Sequence, residues 1–214
     1  MAVAGRRPAA DTLKGDGMRR LAVLLSGRGS NFEAIAEAVD SGRIPDAEIV
    51  AVISDVAAAR GLARARERGL PAFAVERERF GSRARHEAEI LRILEKTEPD
   101  LICLAGYMRI LSPAFVERWR GRILNIHPSL LPKYRGLSPQ KRALEAGETE
   151  SGCTVHLVDE GTDTGAVVLQ KRVPVEPGDS EDSLSARILR QEHEAYPEAI
   201  VAVLDELGRG RGVH

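Results

Sequence analysis

Short apolar runs separated by amphipathic stretches of helical period dominate the first two thirds of the chain, and they restrict its fold more than any other feature. The runs are Leu21–Leu25, Ile49–Ile53, Ala72–Val75, Leu101–Ala105 and Ile123–Ile126. Each is the length of a strand, and each is apolar on both faces of the pleat, as in a parallel sheet covered on both sides. The first intervening stretch carries Phe32, Ile35, Ala36 and Val39 on one helical face and is stopped by Gly42 and Pro45. Ala57–Arg68, Arg83–Lys96 and Pro113–Trp119 follow as further helices, the last opened by a proline suited to a first helical turn. The crossovers between parallel strands are expected to be right-handed.

The last third reads differently. Cys153–Val158 and Val167–Val175 are two strands with only the acidic linker Asp159–Gly165 between them, so they are expected to pair antiparallel. Ser183–Leu207 reads as a long terminal helix, with a break expected near Pro197. The prediction is one α/β domain over 18–207: an open, mostly parallel twisted sheet of about seven strands, Rossmann-like in its first half, with a late antiparallel hairpin and flanking helices. Residues 1–17 show no periodicity and read as a disordered extension, and 208–214 as a flexible tail.

Composition narrows the function classes. Lys and Arg number 31 and Asp and Glu 32, a formal charge of −1, so there is no global electrostatic footprint for nucleic acid. No apolar run approaches the length that spans a bilayer, and no apolar segment follows Arg6 and Arg7 as a secretory signal requires. Cys103 and Cys153 lie in apolar segments without metal-ligand spacing and read as buried free thiols of a cytoplasmic protein. The five histidines are dispersed, so no metal is expected.

Three places can carry chemistry. Ser26–Asn31 joins the first strand to the first helix. Gly29, Ser30 and Asn31 there form either a phosphate cradle, built on free amides at a helix start, or a tight turn with a serine cap. The spacing matches neither the dinucleotide nor the P-loop fingerprint. Asn125 and His127 stand two apart at the carboxyl end of the fifth strand, where open α/β sheets bind ligands, and so share a face. An amide donor beside an imidazole suits a developing oxyanion, although a hydrogen-bonded strand end would look the same. Asp159, Glu160 and Asp163 could supply a carboxylate to orient His127, or could be a solvated turn.

The strings SGRGSN, AGYMRILSP, LNIHPSLLPKYRG, GCTVHLVDEGTDTG and GDSEDSL with QEHEAYP occur together and in order over about 18–207. On these motifs the chain resembles the phosphoribosylglycinamide formyltransferases, folate-dependent enzymes of purine biosynthesis. The resemblance implies transfer of a formyl group from 10-formyltetrahydrofolate to the amine of glycinamide ribonucleotide (GAR), through a tetrahedral oxyanion. It assigns catalysis to Asn125, His127 and Asp163, and contacts with the ribonucleotide to Gly29, Ser30, Asn31 and Glu192. Folate contacts would come from Arg83, Met108, Arg109, Ile110, Leu111 and Asn125. By residue type alone, Met108–Leu111 reads as plain core and Arg83 as a solvated helix charge.

The segment Arg135–Gln140 departs from some relatives, and its RG followed by a proline is similar to methionyl-tRNA formyltransferase. That enzyme's C-terminal tRNA-binding domain has no counterpart expected here, nor has the N-terminal domain of formyltetrahydrofolate hydrolase. Hydrolysis of the formyl donor and a non-catalytic folate- or nucleotide-binding module are the alternatives to be tested. The expected partners are small molecules rather than nucleic acid or membrane, with monomer and homodimer both open.

Overall fold

The structure is a computed structural model that describes residues 17–210. All but the last residue of the predicted extension 1–17, and most of the predicted tail, therefore lie outside the described residues. Strands β1 (Arg19–Leu25), β2 (Ala47–Ser54), β3 (Ala72–Ala74), β4 (Leu101–Leu104), β5 (Ile123–His127), β6 (Glu150–Leu157) and β7 (Val167–Pro174) form one sheet in the order β3-β2-β1-β4-β5-β6-β7. β1 to β5 are parallel, and β6 and β7 are each antiparallel to their predecessor. This is the mostly parallel sheet with a late hairpin that the apolar runs predict.

The centre of the sheet is buried on both faces because the runs Leu21–Leu25, Ile49–Ile53 and Leu101–Leu104 are apolar at every position, whereas the edge strand β7 is largely exposed. Along β1, Leu21, Val23 and Leu25 enter one core and Ala22 and Leu24 the other, as the two-residue period of a strand requires. The first core packs α1 (Ser30–Asp40), α2 (Arg60–Glu67) and α6 (Glu181–Gly208); the second packs α3 (Arg83–Thr97) and α4 (Pro113–Arg118). The chain runs outward from β1 through β2 to β3, then restarts at β4 on the other side of β1. That reversal opens a crevice at the carboxyl ends of β1 and β4, where such sheets bind ligands.

Beyond shifts of two residues at the starts of β1, β2 and α6, the structure differs from expectation at four places. α2 begins at Arg60 rather than Ala57, because the residues before it form a turn. β6 begins at Glu150, three residues early, extended by pairing with β7 as far as Pro174. A short helix, α5 (Pro139–Glu145), falls where none was expected. The break expected at Pro197 is absent: α6 runs through it to Gly208. A proline inside a helix costs roughly 3 kcal/mol. Here packing outweighs that cost, since Leu184, Ile188, Ala195, Tyr196, Ala199, Ile200, Val203 and Leu204 make a continuous buried stripe across the proline. The Tyr196 hydroxyl lies 3.0 Å from the Leu104 carbonyl and 3.1 Å from that of Leu124, which fastens the helix to β4 and β5 beside the proline.

Candidate active site

The carboxyl ends of β4 and β5, the loop after each, and the β6–β7 linker enclose a cleft of about 400 Å³. Gly106–Leu111 form one wall. Asn125, His127 and His156 form the floor, and Gly136–Pro139 with Val158–Asp163 the other wall.

The floor is built by register. Asn125 and His127 share one face of β5, as their spacing requires. Antiparallel pairing sets His156 directly opposite Asn125 and Thr154 opposite His127. His156 Nδ1 lies 2.8 Å from the Leu157 carbonyl, and a carbonyl only accepts, so that nitrogen carries a proton. In the neutral ring the Nε2 then accepts from the Asn125 amide at 3.2 Å. The second amide proton of Asn125 is left for an oxygen in the cleft.

Asp163 sits between the two imidazoles. Its Oδ2 is 3.4 Å from His127 Nδ1 and its Oδ1 is 3.5 Å from His156 Nε2. The Gly136 N–H donates to Oδ2 at 2.9 Å. The linker turns through a left-handed backbone at Asp163 (φ +52°). Burial alone would lift the Asp163 carboxyl, but the His156 ring, which as an imidazolium turns its Nε2–H from Asn125 to Asp163, the Gly136 N–H and the charge of His127 outweigh it and hold it below its ordinary value. The Nε2 of His127 donates to the Tyr134 carbonyl at 3.0 Å, so both ring nitrogens of His127 face oxygen acceptors. A neutral imidazole can donate to only one of them, an imidazolium to both.

The wall at 106–111 is not the plain core that residue type suggests. Met108 and Ile110 are 70% and 68% exposed, while Leu111 is buried. The loop holds its shape through polar ties. The Met108 N–H donates to Ser26 Oγ at 2.9 Å, and Arg83 Nη2 donates to the Ile110 carbonyl at 2.6 Å. Glu87 accepts from Arg83 Nε and the Ser112 N–H, both at 2.9 Å, and from the Ser112 hydroxyl. Arg109 Nε reaches the buried Asp55 at 2.7 Å. Arg83 is thus no free surface charge, although it does not itself line the cleft.

Gly29, Ser30, Asn31 and Glu192 form a separate cluster outside the cleft lining, linked to it through the Ser26 N–H bond to the Gly106 carbonyl at 3.1 Å. α1 starts at Ser30 and has no side-chain cap, so the serine-cap alternative does not hold. Gly29 has φ +77°, and a Cβ built there would lie 2.4 Å from Gly61 Cα. The close approach of α2 to this loop therefore requires glycine. Asn31 Nδ2 donates to Glu192 Oε2 at 2.8 Å, joining residues 161 positions apart in a buried pair. Burial lifts the Glu192 carboxyl above its ordinary value, and the Asn31 amide only partly offsets this.

Residue reading alone missed His156, Asp55 and Glu87, and it placed Ser26 in the loop after β1 without its bond to Met108. Ser26 and Asp55 follow the ends of β1 and β2, a positional signal that is visible in the sequence. Among the described residues no group of three or more His, Cys, Asp or Glu side chains is arranged to hold a metal ion. No described helix is long and apolar enough to cross a membrane. Both cysteines are free and buried, and burial pushes the Cys153 thiol up to about 12.

Residues 19–200 match the family described as formyl transferase. The chain is 48% identical over 180 residues to the phosphoribosylglycinamide formyltransferase of Haemophilus influenzae, covering 84% of each. It is 53% identical over 188 residues to the trifunctional purine biosynthetic protein adenosine-3 of Drosophila melanogaster, but spans only 14% of that protein's length. Its fold superposes on the crystal structure of glycinamide ribonucleotide transformylase 1 from Symbiobacterium toebii with a TM-score of 0.86 at 43% identity, covering 92% of this chain and 94% of that one.

Proposed function

The chain belongs to the formyl transferase family, and on that premise we propose that it moves the formyl group of 10-formyltetrahydrofolate to the primary amine of GAR. The observation that carries this reading is the meeting of Asn125 and His127 on the floor of one cleft with Asp163 in its wall. A tetrahedral acyl transfer needs donors aimed at an oxyanion and a group to manage the amine proton, and these side chains offer both.

In this reading the neutral amine nitrogen attacks the formyl carbon, and the carbonyl electron pair moves onto oxygen. The free amide proton of Asn125 stabilises that oxyanion together with the His127 Nδ1–H, which at 3.4 Å from Asp163 makes no full bond there and can turn to the new oxygen, while Nε2–H stays on the Tyr134 carbonyl. The amine proton passes by way of a water held at Asp163 to the folate nitrogen. The carbon–nitrogen bond to folate then breaks and the carbonyl re-forms, giving formyl-GAR and tetrahydrofolate. No covalent enzyme intermediate is needed. Holding two reactants in one cleft supplies much of the remaining acceleration.

The apolar side chains of Met108, Ile110 and Leu137 suit the flat ring system of a folate, and the loop's backbone groups suit its polar edge. Gly29, Ser30 and the first amides of α1 suit the ribonucleotide phosphate, and Glu192 its hydroxyls. Every group invoked comes from one chain, so the reading needs no second subunit. We place residues 18–207 in a single catalytic domain, and the free buried thiols support a reducing, cytoplasmic setting.

The test is an acceptor competition. Purified protein and 10-formyltetrahydrofolate are incubated with GAR, with methionyl-tRNA, or with water alone, and the loss of the formyl donor is followed by absorbance. Turnover is expected only with GAR. Equal turnover with water alone would make the chain a hydrolase, and donor binding without turnover would make it a binding module.

A further inference from the structure

Resting on the formyl-transfer reading above, we propose that Tyr134 is a positioning residue that sets the geometry of both His127 and Asp163 and is itself tethered from the far side of its loop by Glu148. The segment Tyr134–Gly136 touches both acid–base groups through its backbone. The Tyr134 carbonyl accepts from His127 Nε2 at 3.0 Å, and the Gly136 N–H donates to Asp163 Oδ2 at 2.9 Å. A shift of this tripeptide therefore moves the imidazole and the carboxylate together.

The segment does not rest in a conformation it would choose by itself. Tyr134 has φ +57°, in the left-handed region that L side chains occupy at a cost. Something must hold it there, and the structure shows what does. The Tyr134 ring turns away from the catalytic cleft into a second, smaller cavity of about 220 Å³. There its hydroxyl donates to Glu148 Oε1 at 2.8 Å, and the Arg142 guanidinium lies 5.4 Å from the ring centre. Arg142 Nη1 also donates to the Arg135 carbonyl at 2.6 Å. Tyr134 thus has its carbonyl in the reaction site and its phenol anchored outside it. Glu148 also accepts from Lys133 Nζ at 2.8 Å, but that ammonium touches no part of the catalytic floor.

The test uses the full chain in three single variants and one double variant. Tyr134→Phe and Glu148→Ala each remove the tether, and each is expected to lower kcat about tenfold with KM for both substrates within about twofold, since a small misplacement of reacting groups acts on the chemical step. The double variant is expected to lose no more than either single one, because both cut the same link. Lys133→Met is expected to keep wild-type kcat. In parallel, the His127 Nε2–H resonance is read by nitrogen-15 NMR without substrate. It is expected to move in Tyr134→Phe and Glu148→Ala and to stay in place in Lys133→Met. A His127 resonance unmoved by Tyr134→Phe, or a loss confined to KM, overturns the proposal. The resonance needs no turnover, so it decides the matter even if the wild-type protein fails to formylate GAR, which would count against the formyl-transfer reading alone.

Discussion

Asn125 and His156 face each other across the β5–β6 pair, with the amide nitrogen of one 3.2 Å from the ring Nε2 of the other. In the proposed reaction, the amide assigned to the oxyanion is aimed by an imidazole 31 positions away in the chain. Replacing His156 by Ala frees Asn125 to rotate. The expected result is a fall in kcat of roughly ten- to a hundredfold, short of the loss from removing an oxyanion donor outright. Steady-state kinetics of His156→Ala beside Asn125→Ala check the order, and equal losses would place His156 in direct contact with substrate.

Asp163→Asn keeps the shape of the side chain and an acceptor for the Gly136 N–H but removes the charge between the two imidazoles. Turnover is expected to fall at least about a hundredfold with the fold intact. The same variant tests the pH dependence of stability. The Asp163 carboxyl is depressed in the folded protein, so its contribution is fully present above the unfolded value of about 3.9 and is lost as pH falls through the lower folded value. Denaturant midpoints of the wild type and Asp163→Asn, compared from pH 6 downward, are expected to converge only below about pH 4. Convergence already at pH 6 would show that the two imidazoles do not stabilise this carboxylate.

Asn31→Ala is expected to do more than weaken phosphate binding. It strands the Glu192 carboxylate, which is 6% exposed and takes its one side-chain bond from Asn31. Leaving a buried polar group unpaired costs about 1–3 kcal/mol. Ser30→Ala should raise KM for GAR above that for folate at unchanged stability. Asn31→Ala should raise it further and also lower the unfolding midpoint. Equal melting temperatures for the two variants would show that Asn31 is not structural.

Gly29→Ala places a methyl group against Gly61 Cα, backbone against backbone, at a residue of positive φ. Neither neighbour is a flexible side-chain end that could swing aside. A destabilisation of about 2–4 kcal/mol is expected, combining backbone strain and overpacking. Denaturant unfolding measures it. A variant within about 0.5 kcal/mol of wild type would mean that α2 can withdraw from the loop.

Much of this is visible in the residues themselves. The strand-length apolar runs foretell the sheet because both faces of β1 are buried, and the spacing of Asn125 and His127 foretells a shared face because strand geometry has a fixed period. Asp163 is different. Its place beside His127 depends on how a linker folds back over the hairpin; residue type alone leaves it open between a carboxylate for His127 and a solvated turn, and the motif resemblance singles it out. His156 was missed for a related reason, since a strand histidine becomes informative only once the register with β5 is known. Pro197 misled because its local preference is real but tertiary packing overrides it. α5 is two turns long and opens with a proline, too short to show a period. Ser26, Asp55 and Glu87 act on the 106–112 loop from distant parts of the sequence, and no spacing rule links them to it.

The Tyr196 hydroxyl, whose single proton is shared between two carbonyls, also bears on how the cleft can respond to its occupants. One phenol reaches carbonyls on two neighbouring strands, that of Leu104 at the end of β4, which leads into the 106–111 wall, and that of Leu124, which precedes Asn125 in β5. Those strands cannot splay apart at this level without breaking a fully buried linkage. Molecules of different girth must then be admitted by rearranging the flanking loops, above a foundation of fixed gauge.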